Sequence, residues 1–452
     1  MSVGACALLP VPAVAQNAPD TATLARQVEE LRQQVEALRA ELAATRTAAA
    51  DSPQPALPVA QTVPATASAA VVPKPAPSAV QVAFKGAPEY KSADGWSFKP
   101  RGRIQFDAGY IDAARSIDSA VDGPRYAAVL RRAFIGAQGT IPGGFSYRAE
   151  IDLAPKTPEW ADLYLAYDRG PLNITVGQIY PFLGIEQMSS DLFPSFTERA
   201  AFTGAFNYRR RIGLAAGYTR NTWMVNAGVF GDSIADVVPD GARSIGFDAR
   251  AVWMPKLEDI QLHLGASAHI RHYFDYPTPN ATRYRSRPYF FSTTIRPIET
   301  DTVNIEDERN YGLEFGAIRR RAHVVGEFSA FQSLRANNIR PTYYGGYAEI
   351  GLFLTPDTRG YRAGQFDRTV PAHPLGDGIG AIELNARYDY LDLTDNSSIF
   401  AGRQQSIGGS LVWTPLPNVR FIGDYVHNHF FYRGFPPNAD VDTATVRAQV
   451  DF

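Results

Sequence analysis

The chain has 452 residues and a formal charge of −2 from 44 basic and 46 acidic side chains, with 22 Tyr, 26 Phe, 37 Gly and a single cysteine. The near-neutral balance and the lack of a basic fold motif argue against a nucleic-acid binder, and no run reaches the roughly 18 apolar residues of a helical membrane span. Alternating strands escape a hydropathy window, so the slightly negative mean hydropathy leaves a membrane β-barrel open. Length alone allows two or three domains, but a large barrel is a standard exception. Only six of the basic residues are lysines (Lys74, Lys85, Lys91, Lys99, Lys156 and Lys256). Positive charge is therefore carried mostly by a planar fork that matches carboxylate and phosphate oxygens.

Residues 3–15, VGACALLPVPAVA, form a short apolar run that ends in Ala13-Val14-Ala15, an A-x-A cleavage pattern without the usual basic flank. A signal peptide is predicted over residues 1–15. Its removal would take Cys6 with it and leave no disulfide or thiol chemistry. Leu24, Val28, Leu31, Val35, Leu38 and Leu42 then alternate spacings of four and three. That seam predicts a coiled coil over residues 16–46, placed in the periplasm, with a lone amphipathic helix as the other reading. About three heptads are marginal for an isolated helix, so partner chains must supply burial, and valine at the a positions leaves dimer or trimer open. Residues 47–97 read as a Pro/Ala-rich linker and lead-in.

From Phe98 the period becomes two. Strands are predicted at residues 98–112, 125–140, 144–154, 160–169, 171–180, 206–219, 222–231 and 244–254, then at 259–273, 309–319, 322–333, 342–354, 380–393, 404–414, 417–430 and 442–452. Tight turns such as Ile141-Pro142-Gly143-Gly144 alternate with longer connections, which is the habit of an outer-membrane barrel. One connection, residues 355–379, is long where a short turn is expected. In the last strand Ala444, Val446, Ala448, Val450 and Phe452 share one face, and Thr445, Arg447, Gln449 and Asp451 the other. A soluble sandwich ending this way would expose a sticky edge. The prediction is an all-β chain: a 16-stranded antiparallel transmembrane β-barrel over residues 98–452, preceded by the coiled-coil helix and the linker.

Sixteen strands enclose an aqueous channel, and the polar face of the first strand (Arg101, Arg103, Gln105, Asp107) becomes a channel wall. Within the long connection after the ninth strand, Arg283, Arg285 and Arg287 lie at i, i+2 and i+4, so an extended backbone turns three guanidiniums the same way. In isolation such a cluster reads as solvated charge; in a barrel, a loop folded inward sets it against an ion path. His269 with His272, and His427 with His429, lack a nucleophile or acid at a telling offset. No catalytic residue, cofactor or metal ligand is predicted.

Gly102-Arg103-Ile104-Gln105, Leu130-Arg131-Arg132-Ala133-Phe134, Val176-Gly177-Gln178, Gly380-Ala381-Ile382-Glu383-Leu384, Arg387-Tyr388-Asp389 and the terminal Asp451-Phe452 resemble the phosphate-selective outer-membrane porins O and P. The resemblance implies a homotrimer of barrels in outer-membrane lipid, with the last aromatic read by the barrel-assembly machinery. It also implies an arginine ladder guiding phosphate, polyphosphate or related anions to a loop constriction. The matching positions are Arg103, Arg131, Arg132, Arg283, Arg285 and Arg287, with Arg296 a further rung and Arg199 in the constriction-loop stretch 182–202, near Glu186, Asp191 and Glu198. Arg131 and Arg132 are neighbours and share a face only through a bulge. Two features set this chain apart: few lysines, with the triplets 209–211 and 319–321 as substitutes or solvated charge, and an acidic run of Glu299, Asp301, Glu306, Asp307 and Glu308 expected in the ladder's loop. A general anion-preferring porin and an envelope-tethering barrel are the alternatives.

Overall fold

The computed structural model describes residues 80–452 apart from 85, 115, 118–124, 239–240, 276–279, 336–337, 396–397, 399 and 434–436, and Gln33 before them. The signal peptide, the coiled coil and the linker up to residue 79 lie outside the described residues. The wall strands are β1 (Ser97–Ala113), β2 (Arg125–Ile141), β3 (Phe145–Asp152), β4 (Glu159–Arg169), β5 (Leu172–Ile179), β6 (Arg211–Arg220), β7 (Trp223–Phe230) and β8 (Ser244–Trp253). They continue as β9 (Ile260–Tyr273), β10 (Val303–Arg319), β11 (Ala322–Arg335), β12 (Thr342–Phe353), β13 (Ala381–Asp392), β14 (Gly402–Leu416), β15 (Val419–Tyr432) and β16 (Ala439–Asp451).

Each strand pairs antiparallel with the next, and β16 returns to β1 with Asp451 opposite Arg103 and Val441 opposite Ala113. The result is a closed sixteen-stranded barrel, so every wall strand has two neighbours and no edge is left open to hydrocarbon. The seam ends on the last residue, where the Phe452 amide donates to Gly102 O at 2.9 Å and the Gly102 amide to Phe452 O at 3.1 Å. Inside it, Arg447 donates two hydrogen bonds of 2.7 Å to the Asp107 carboxylate, and Gln105 donates to Gln449 at 2.7 Å.

Alternation divides the wall as the pattern requires. Ile104, Phe106, Leu313, Phe315, Ile350, Leu411 and Val446 are exposed on the outside, while Arg103, Gln105, Asp107, Glu314, Glu349 and Arg387 are buried within. The tight turns gather at one end; Gly143 and Gly144 make the first with φ of 90° and 93°, left-handed values that favour glycine.

Two predicted boundaries differ from the observed ones by more than three residues. β6 begins at Arg211 rather than residue 206, because Phe206 is drawn inside, stacked on Phe331 with ring centroids 4.7 Å apart. β10 begins at Val303 rather than residue 309, so Glu306, Asp307 and Glu308 belong to a strand and not to the loop. Two of the three have partners: buried Glu308 accepts from Tyr273 at 2.6 Å and Tyr284 at 2.9 Å, and Asp307 meets His272 at 2.9 Å. His427 and His429 stand opposite Asp442 and Asp440 on half-exposed positions of the β15–β16 pair.

Replacing Arg447 by Ala leaves Asp107 charged and buried at the seam, and should cost about 3–5 kcal/mol of barrel stability. The gel mobility of folded against heated protein, followed through a urea series, measures it. The double variant with Asp107→Ala should recover much of the loss.

Candidate ion pathway

Three connections fill the lumen. The first, residues 180–210, enters between β5 and β6 and carries α1 (Ile185–Met188) and α2 (Ala201–Ala205). The wall grips it at intervals. The Glu186 amide donates to Glu327 at 2.7 Å, the Ser195 hydroxyl to Glu349 at 2.5 Å, the Thr197 amide to Asp424 at 2.6 Å and the Ala201 amide to Asp389 at 2.8 Å. Glu186 also pairs with Arg387 at 2.7 Å. Asp191 is clamped between Arg103 and Arg132, the latter at 2.6 Å.

The second is the long connection before β10. Residues 283–287 run extended beside residues 298–300, with the Ser286 amide bonded to Ile298 O at 3.1 Å and the Thr300 amide to Tyr284 O at 2.9 Å. Tyr284 and Ser286 turn into the wall, Ser286 donating to Gln404 at 2.6 Å, and Arg283, Arg285 and Arg287 take the exposed face.

The third explains the anomalous length of residues 355–379. The connection folds back into the barrel as a floor, with Arg359 on Glu383 at 3.1 Å and on Phe193 O at 2.6 Å. Arg250 donates to Gly364 O at 2.8 Å, and the Phe366 amide to Ser189 at 2.9 Å.

Between these connections three cavities follow one another. The outer one, about 280 Å³, is lined by Arg199, Arg285, Arg287 and Arg296 with Glu198 as its carboxylate. The middle one, about 210 Å³, shares Glu198, Arg199 and Arg287 with it and adds Arg131, Arg132, Arg447 and Asp191. The inner one, about 840 Å³, shares Asp191 and Arg199 with the middle and opens toward the tight-turn end, near Asn418 and Phe452. Lys99, Arg101, Arg103, Arg148, Arg210, Arg362 and Arg368 line it, against Glu150, Asp162, Asp191, Asp367 and Asp451.

Arg199 touches all three cavities, donates to the carbonyls of Glu186 at 3.1 Å and Ser189 at 3.0 Å, and has no ion-pair partner among the described residues. Arg131 and Arg132 both reach the lumen because β2 bulges: Gln105 faces Arg132, Phe106 faces Leu130, and Arg131 is the extra residue between. Arg131 then pairs with Glu198 at 3.2 Å and sits 3.7 Å over the Phe291 ring, whose vicinity Arg287 shares at 4.8 Å. Arg283 lines none of the three cavities and pairs with Glu299 at 3.2 Å.

Sequence reasoning gave no pathway role to Arg148, Arg362, Arg368 or Arg447, and offered Arg210 only within the triplet 209–211, as a substitute for lysine or as solvated charge. Arg447 stood on the polar face of the last strand, which was signal enough. Arg210 was masked by its triplet: it pairs with Asp162 at 2.7 Å inside, whereas Arg319 and Arg320 share exposed Asp259 outside.

Electrostatics follow from the unequal count. Burial lowers the pKa of Arg296 to about 10, with Arg287 and Arg285 adding repulsion, and the guanidinium stays charged at neutral pH. Burial likewise lowers that of Arg287, as do Arg131 and Arg285, against the pull of Glu198. For Asp191 burial works upward, but Arg103 and Arg132 outweigh it and hold the carboxyl well below the usual carboxylate range.

Comparison with known proteins adds four findings. The model of the family described as phosphate-selective porin O and P matches residues 98–452. An uncharacterised protein of Caulobacter vibrioides is 40% identical over 479 aligned residues, covering 100% of this chain and 95% of its own length. Porin O of Pseudomonas aeruginosa is 24% identical over 374 residues, 73% of this chain and 80% of that one. Among solved structures, OprB of Pseudomonas putida shares the fold at a TM-score of 0.50 and 10% identity, over 79% of this chain and 94% of that one.

The depressed pKa of Asp191 makes a statement about pH. A carboxyl lowered on folding contributes stability above its unfolded pKa, about 3.9, and loses it only as pH falls through the folded value. The Asp191 clamp on Arg103 and Arg132 should therefore persist from pH 7 to about 4, so that the excess current noise of Asp191→Asn over the wild type stays constant across that range.

Proposed function

The chain belongs to the phosphate-selective porin O and P family, and from that premise we propose that it passes phosphate and related oxyanions through the outer membrane along its row of guanidiniums. The observation that carries the reading is the surplus of cations over carboxylates in all three cavities. A narrow, low-dielectric passage with an excess of positive charge concentrates anions, and successive weak contacts offset desolvation without trapping the ion. Arg285, Arg287 and Arg296 receive the anion, Arg131, Arg132 and Arg199 hold it at the narrow zone, and Arg103 belongs to the inner stage. Arg283 would act through the field at the mouth. Arginines take the inner stage with Lys99, and polyphosphate extends the same chemistry to a longer row of oxygens.

The assembly we propose is a homotrimer, its N-terminal coiled coil in the periplasm on the tight-turn side, with Phe452 as the signal for barrel assembly. Deleting residues 17–79 should leave conductance unchanged.

Arg287→Ala removes one charge-assisted contact, worth about 1.5–3 kcal/mol. Phosphate should then block chloride current roughly ten times less effectively in planar bilayers, with Arg285→Ala weaker in the same direction. Unaltered block in both variants would remove these residues from the path.

A further inference from the structure

The outer and middle cavities meet at Glu198, and its setting is unlike that of the other carboxylate in the narrow zone. Asp191 is clamped by two arginines, and its backbone carbonyl accepts from Gln105 at 2.9 Å. Among the described residues the Glu198 carboxylate has one hydrogen bond, from Arg131 Nε to its Oε1 at 3.2 Å. Its next cation, Arg447, is 3.8 Å away and already spent on Asp107. Among the described residues Arg287 has no ion-pair partner; it rests against Phe291, the ring that Arg131 also covers. A singly held carboxylate thus stands between one guanidinium it bonds and another that is unmet.

We propose that Glu198 is a tethered counter-anion, which a permeating oxyanion displaces from Arg131 and which returns when that anion leaves. The proposal rests on the anion-channel reading and deepens it. A carboxylate and an oxyanion offer the same fork-matched oxygens, so an entering phosphate, sulfate or carboxylate head group can take the Arg131 bond and reach Arg287 as well. Once the side chain swings back, it competes for the same donors and shortens the stay of the anion. Without it, several guanidiniums around a cavity of about 210 Å³ would hold a polyvalent anion too tightly to conduct. The carboxylate stays ionised at working pH: burial pushes its pKa up, but Arg131 and Arg447 hold it below the ordinary glutamate value.

The test is Glu198→Gln in the full-length protein, with inorganic phosphate and then acetate added to chloride in single-channel recordings. Glu299→Gln, which removes the same charge at the Arg283 pair outside the cavities, is the control. Displacement predicts that Glu198→Gln lengthens phosphate and acetate block events and lowers the half-blocking concentration roughly tenfold, with Glu299→Gln shifting it less than twofold. Equal shifts in the two variants would mean a bulk field and overturn the exchange role, as would unchanged block in Glu198→Gln, while the anion pathway stands. A wild-type channel without anion preference would overturn both.

Discussion

Closure of the β1–β16 seam is the constraint on which the rest of the molecule depends. A sheet in hydrocarbon must satisfy its backbone internally, so the sixteenth strand has to return to the first, and the Phe452–Gly102 hydrogen bonds complete that ring. Alternation then has one consequence outside and another inside. Outside, Val446 and Phe106 face lipid; inside, Arg447 and Asp107 must answer each other across the seam, because a buried charge without a partner costs far more than the pair contributes.

The interior problem is larger than the seam. A barrel of this width encloses more polar side chain than its own wall can pair, and the inward connections supply the missing partners. Backbone amides of residues 186, 197 and 201 donate to Glu327, Asp424 and Asp389, and Asp191 answers Arg103 and Arg132. The wall thereby positions the loop, and the loop leaves behind guanidiniums it does not neutralise: Arg199, Arg285, Arg287 and Arg296. Structure and transport share one electrostatic account.

The sequence disclosed the periodic part of this readily. Strand positions, the tight-turn end and the lumen face of β1 and β16 all follow from a two-residue period and turn residues, which are local. The alternation within Arg283-Tyr284-Arg285-Ser286-Arg287 was equally legible, since Tyr284 and Ser286 had to turn away from the arginines. Three things were not legible because they depend on contacts far apart in sequence. The bulge at Arg131 is a register property of two strands. The inward fold of residues 355–379 depends on Arg250, Glu383 and Ser189, each distant in the chain. The acidic run beyond Arg296 was expected in the ladder's loop, but strand pairing places Glu308 under two tyrosine hydroxyls, while Glu299 stays in the loop, paired with Arg283.

The chain is an outer-membrane porin family member, and the proposal that charge surplus sets its selectivity is tested most directly by the zero-current potential of the purified protein in a planar bilayer under a tenfold potassium chloride gradient, repeated with potassium phosphate. The account predicts a potential of the sign set by anion permeation in both salts. A potential near zero, or of the cation-selective sign, would contradict it.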